Sequence, residues 1–356
     1  MPHASPTSIR ELSQRPPEPD AFRAFVEGME RFNNYLRSDN GEELQAASKA
    51  FASATQADPS FILARFHQAV AFAHSRKEDD AIKIFEEIIV QSPPFLPEIY
   101  YNLAQARLHT YRYDQALKAE AAFNTAENLA KGHEKRYLLY LARASRVLLY
   151  AVLGGRQLRH AEDFEERKKK YLPIGAAQGK DVLGEHWAFL SLSRSELDDV
   201  RVEAHNGLGA IYMRMGQYAE LLTDAQKMWN KSERHYRACL EIRPTLTPTL
   251  HNLGTLHRLQ GQRALQSGNT EEARRQFTTA RNFYVDSLRI NSYDQFPYYG
   301  ASACSVYLQD WTTALEYHQI GQQQHGQVRA ELWARLEQAI SQKDPTLLAP
   351  EESGES

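Results

Sequence analysis

One pattern constrains this chain more than any other: a small residue, an aromatic four positions on and another small or apolar residue three further, recurring along its length. Ala47, Phe51 and Ala54 give it first, with Pro59 beyond, and Ala81, Phe85, Ile88 and Pro93 repeat it at the same intervals. Ala119, Phe123 and Ala126 follow, then Ser232, Tyr236, Cys239 and Pro244, then Ala273, Phe277 and Ala280, with a weaker set at Ala314, His318 and Gly321. Steps of four and three put each set on one face of a helix. The proline ends that helix by removing an amide donor.

A second signature precedes these faces: a bulky residue, then Leu-Gly or Leu-Ala, then a bulky residue one turn later. Tyr100, Leu103 and Ala104 show it, as do His205, Leu208, Gly209 and Tyr212, and Leu250, Leu253, Gly254 and His257. Gly or Ala at a helix crossing lets two backbones approach closely, and the aromatic fills the space against the next helix. Each helix pair then has an open apolar face that only another pair can cover. Alternating apolar and β-branched runs are absent, so the chain reads as all-α.

Together the two signatures resemble the tetratricopeptide repeat family, whose unit of about 34 residues is two antiparallel helices. The resemblance implies a right-handed α-solenoid of stacked antiparallel helix pairs. Five or six repeats are recognisable, with elongated helices and a divergent central section. Between Gly216 and the Ser232 face lie about 11 extra residues, close to three helical turns, so a longer helix keeps its face in register. The reading divides the chain into a disordered Pro-rich leader (1–20), N-terminal repeats (21–134), a divergent helical section with a loop from Pro173 to Lys180 (135–200), C-terminal repeats (201–327), a capping helix (328–342) and a disordered tail (343–356).

Charge narrows the partners. With 42 basic against 45 acidic residues, the net charge of -3 gives no field to draw in nucleic acid. The most apolar helix, around Tyr137 to Leu153, contains Arg143 and Arg146 and is shorter than the roughly 20 apolar residues of a membrane span, so no membrane insertion is expected. Two cysteines, Cys239 and Cys304, are too few for a disulfide framework and fit a cytoplasmic protein with both as buried filler. The basic run from Arg167 to Lys170 reads as a solvated helix end.

No phosphate loop, dinucleotide fingerprint, zinc-protease motif or nucleophile elbow is present, so neither an enzyme nor a cofactor is expected. His251 and His257 stand six apart, which places them on opposite sides of a helix, unlike metal ligands spaced by four. The resemblance implies instead a scaffold or adaptor that holds a protein or peptide partner in the concave groove lined by the first helices. By register the groove residues are His67 and His74, then Tyr101, Asn102, Gln105 and His109, then Asn206 and Arg214, then His251, Asn252, Thr255 and Arg258, then Tyr299. Asn102 and Asn252 precede the Leu-Ala and Leu-Gly pairs, where peptide-binding repeats often carry Asn, and an amide there offers a donor and an acceptor to an extended backbone. The chaperone-tail carboxylate clamp of the family uses lysines at neighbouring positions, which here are Tyr101, His109 and His251. A second reading comes from Phe22 to Ala73, which is similar to repeat tracts of bacterial signalling proteins and implies a regulatory or sensor subunit acting on an effector enzyme on another chain.

Overall fold

The structure, a computed structural model, describes residues 16–38, 40–91, 96–132, 135–156, 163–184, 192–325 and 330–348. Pro93 and the outer parts of the expected leader (1–15) and tail (349–356) lie outside them. All regular structure among the described residues is helical. The chain forms two compact units that meet between Ile211 and Tyr212.

Unit 1 contains four helix pairs: α1 (Pro19–Ser38) with α2 (Gly41–Ala57), α3 (Ile62–His74) with α4 (Glu78–Gln91), α5 (Pro97–His109) with α6 (Tyr113–Gly132), and α7 (Arg136–Leu153) with α8 (Phe164–Gly184). Helix α9 (Arg194–Gln217) runs across the division. Unit 2 continues with α10 (Leu222–Ile242), α11 (Thr247–Gln266), α12 (Thr270–Ile290), α13 (Gln295–Tyr307), α14 (Trp311–His325) and α15 (Ala330–Gln342), and then a 3-10 turn, Pro345–Leu348.

The recurrent aromatics behave as their spacing requires: Phe51, Phe85, Phe123, Tyr236 and Phe277 are all fully buried. Small residues opposite them set the helix separation. A Cβ on Gly28 would meet the Phe51 ring at 2.6 Å, and one on Gly261 would meet Phe277 at 2.8 Å. The weak final set is built in as well, since His318 is 3% exposed and a Cβ on Gly321 would lie 2.4 Å from Trp333 of α15. The extra turns before Ser232 belong to α10, which starts at Leu222 and packs back on the end of α9: a Cβ on Gly216 would reach Trp229 at 2.5 Å.

Three expectations are corrected. Residues 173–180 are not a loop, because α8 continues through Pro173 to Gly184. The glycines there serve close approach: a Cβ on Gly175 would meet Ile211, and one on Gly179 would meet Leu208, each at 2.6 Å. The basic run opens α8 and is not a wholly solvated end. Arg167 is 5% exposed and donates to the carbonyls of Leu153 (2.6 Å) and Gly155 (3.1 Å), which satisfies the C-terminal end of α7. The tail from 343 is ordered at least to Leu348, where Tyr307 donates to Leu348 O at 2.7 Å and Arg335 to Leu347 O at 3.1 Å. At the other end, α1 already begins at Pro19.

Candidate functional site

In unit 1 the first helices have little polar face left to offer. His67 is 3% exposed and stacks on Phe51 at 5.6 Å, and His74 meets the Tyr35 hydroxyl at 3.2 Å. Helix α5 is covered by α7, the first helix of the following pair. Tyr101, Asn102 and Gln105 are consequently at most 5% exposed. Gln105 Nε2 donates to Tyr101 Oη at 2.7 Å and to Ser145 Oγ at 3.0 Å, while Asn102 Nδ2 donates to Glu98 O at 2.8 Å. Their place in an open groove is therefore corrected: these amides and the phenol bond within the fold. His109 is partly buried, with Nδ1–H donating to Gln105 O at 2.8 Å, and burial followed by the nearby Arg76 charge pushes its pKa down to about 4. Asn206 is partly buried on α9.

Unit 2 is different. Along α11, one line of side chains at steps of three and four is only partly covered: Asn252, Thr255, Arg258 or Leu259, and Gln262. The other faces of this helix are packed. Leu253 and Leu256 join the cluster around Trp229 and Tyr236, and His257 is 7% exposed, stacked on Phe283 and bonded to Gln276 Oε1 at 2.7 Å.

Tyr284 of α12 is the floor of this line. Its ring fits between Gly254 of α11 and Gly300 of α13, whose Cβ atoms would stand 2.7 and 2.4 Å from it. Its hydroxyl reaches Thr255 Oγ1 at 3.1 Å and bonds Arg258. His251 packs against the Tyr284 ring at 5.4 Å and Phe296 at 6.1 Å. Gln262 Nε2 donates to Tyr307 Oη at 2.9 Å, and Tyr299 stands edge-on to Trp333 at 5.6 Å. The structure thus gathers His251, Thr255 and Arg258 about Tyr284, with Tyr299 also close to Arg258. Arg214 is placed elsewhere, on α9, donating to Gln217 Oε1 at 2.8 Å.

Burial disfavours charge on Arg258, but Tyr284, Tyr299 and Cys304 around it outweigh that and hold the guanidinium protonated more firmly than usual. Burial pushes the Cys304 thiol up to about 12, against the pull of Arg258 and Arg281. This sulfur is an inert thiol in the packing. Arg258 makes no ion pair among the described residues, and its Nε is shielded from solvent without an acceptor. Tyr284 and Gly300, which build the site, were not among the residues expected from sequence. The signal was present: Tyr284 follows Phe277 by seven residues, as Gly261 follows Gly254, so two antiparallel helices repeat one contact after two turns.

Among the described residues no group of His, Cys, Asp and Glu side chains is placed to hold a metal ion. No described helix is long and apolar enough to cross a membrane.

The chain resembles tetratricopeptide repeat proteins in its repeated helix pairs and in the small-residue and aromatic contacts that join them. No family model matches it. Among curated proteins it is similar to the Photosystem I assembly protein Ycf3 of Synechococcus elongatus and of another Synechococcus strain, at 31% identity over 56 residues, a segment that is 16% of this chain and 32% of those proteins. The chain therefore matches well under half the length of these relatives. Among solved structures, a tetratricopeptide repeat protein from Parabacteroides merdae superposes with a TM-score of 0.48 at 11% identity, over 90% of this chain and 99% of that one. The TPR2AB-domain:pHSP90 complex of yeast Sti1 gives 0.26 at 16% identity, over 82% and 99%.

Proposed function

We propose that this chain is a non-catalytic scaffold or adaptor, and that unit 2 grips a protein or peptide partner along α11 and α13. The observation that carries this reading is the partly covered line Asn252, Thr255, Arg258 and Gln262, floored by Tyr284, on a helix whose other faces are packed. Amide, hydroxyl, aromatic and guanidinium groups, half shielded from water, are the chemistry of interface hot spots and of backbone recognition. The second helices differ: Arg274 and Arg275 of α12 are exposed, and Arg275 is engaged with Glu272 at 2.7 Å. Such a surface favours solubility over tight contact.

Affinity capture with the full chain, read by mass spectrometry, tests the reading when run beside two variants. Replacing Asn252 and Arg258 together by Ala should weaken capture by about 1 to 4 kcal/mol with melting nearly unchanged. Arg274→Ala with Arg275→Ala should matter far less. If the second pair abolishes capture and the first leaves it intact, the partner uses the outer surface and the reading fails.

A further inference from the structure

Several buried or partly buried arginines among the described residues meet carboxylates or carbonyls. Arg65 reaches Glu87, Arg107 reaches Glu86, Arg146 reaches Glu127 and Arg281 reaches Asp310, all between 2.6 and 3.2 Å, while Arg167 is held by two backbone carbonyls. Arg258 has no such acceptor. It has one phenol oxygen, that of Tyr284, and no carboxylate among the described residues. Its Nε is shielded from water without an acceptor, and a shielded donor left so costs stability that an anion at the guanidinium would offset.

We propose that Arg258 receives a carboxylate of the partner, carried by an Asp or Glu side chain within an extended segment lying along α11. This inference rests on the scaffold reading above and names the chemistry of its partner. Among the described residues Arg281 is committed to Asp310 and Arg263 donates to Glu220 O at 2.7 Å, so neither shares the role of Arg258. A lone guanidinium matches a singly charged carboxylate, which it can grip with two parallel bonds, better than a phosphate dianion. The mutually bonded hydroxyls of Thr255 and Tyr284 stand beside it with one proton left to donate, and the rings of His251 and Phe296 pack next to them. Amide side chains lie on both sides of Arg258 along the helix, Asn252 before it and Gln262 after it. They suit a backbone that continues past the charge in both directions, which is a side chain's position and not a chain end's.

The test is a phage-displayed library of random dodecapeptides panned against the whole protein. Selected sequences are synthesised with amidated and with free C-termini and measured by fluorescence polarisation. The expected result is a recurrent Asp or Glu, equal binding by both C-terminal forms, and a loss of about tenfold or more when that residue becomes Gln or Asn. Arg258→Gln should lose as much, with no further loss when both changes are combined, and Arg258→Glu should prefer a peptide with Lys at that position. Peptides that lack a fixed acid, or bind Arg258→Gln as well as the native protein, overturn the inference. They leave the scaffold reading standing if Asn252→Ala still weakens them. Binding by the free acid alone would assign the carboxylate to a chain end, and tighter binding of a phosphoserine analogue would replace carboxylate by phosphate; either overturns the proposal. A library that yields no binder sensitive to Asn252→Ala or Arg258→Gln overturns both.

Discussion

Gly300 of α13 and the ring of Tyr284 are in contact with no space for a methyl group: a Cβ on Gly300 would stand 2.4 Å from Tyr284 Cζ. On the other side of the same ring, Gly254 leaves as little room, at 2.7 Å. The ring therefore has nowhere to retreat. Its hydroxyl is aimed at Thr255 and Arg258 because two glycines fix the plane in which it lies.

Gly300→Ala should accordingly destabilise the protein by about 1 to 3 kcal/mol, overpacking outweighing the helix propensity gained. Gly132→Ala is the control, since nothing lies within 4 Å of its would-be Cβ, and it should be neutral or stabilising. Denaturant unfolding of both variants decides this. Equal stability would show that the Tyr284 contact is loose.

Arg258 and Arg281 should respond oppositely to neutral replacement. Arg281→Met leaves Asp310 without its cation and should lower stability by about 1 kcal/mol, a modest figure because both groups are partly exposed. Arg258→Met removes a partly shielded charge that has no counter-ion among the described residues and should leave melting unchanged or raise it. A marked fall in the Arg258 variant would mean that the guanidinium holds the free fold together.

The neutral His109 gives a pH dependence with a definite sign. Its folded pKa is about 4, below the ordinary histidine value of 6.5, so the unfolded chain binds the additional proton between those values. Stability should therefore be full above about pH 6.5 and should decline as pH falls toward 4, by up to about 3 kcal/mol. His109→Gln should flatten that part of the profile. An unchanged slope would place the titration elsewhere.

Pro173 distinguishes helix from loop. It lies exposed in the interior of α8, where it removes one helical hydrogen bond. Pro173→Ala should therefore stabilise by about 1 to 3 kcal/mol. In a loop the same change would be neutral or destabilising, since the unfolded chain gains freedom.

The elements were legible where one residue sufficed to signal one contact. Phe51, Phe85, Phe123 and Phe277 follow small residues at four-residue steps, and that spacing is a property of the helix itself. The glycines of 175 and 179 were misread because a sequence does not distinguish a glycine that opens a turn from one that admits a neighbour. Only Ile211 and Leu208, brought there by α9, make the difference.

Sequence by itself determined the helical period, the repeated small and aromatic faces and hence the stacking of helix pairs, because these depend on contacts local to a pair. It also placed Asn252, Thr255 and Arg258 on one side of α11. Tertiary structure decided which first helices keep a polar face. Helix α7 covers α5 and takes up Tyr101 and Gln105 through Ser145, while in unit 2 Tyr284, seated between Gly254 and Gly300, gives Arg258 a phenol oxygen where no carboxylate among the described residues reaches it. Register along one helix fixes where a side chain points. Whether water, its own chain or an anion meets it depends on residues distant in sequence.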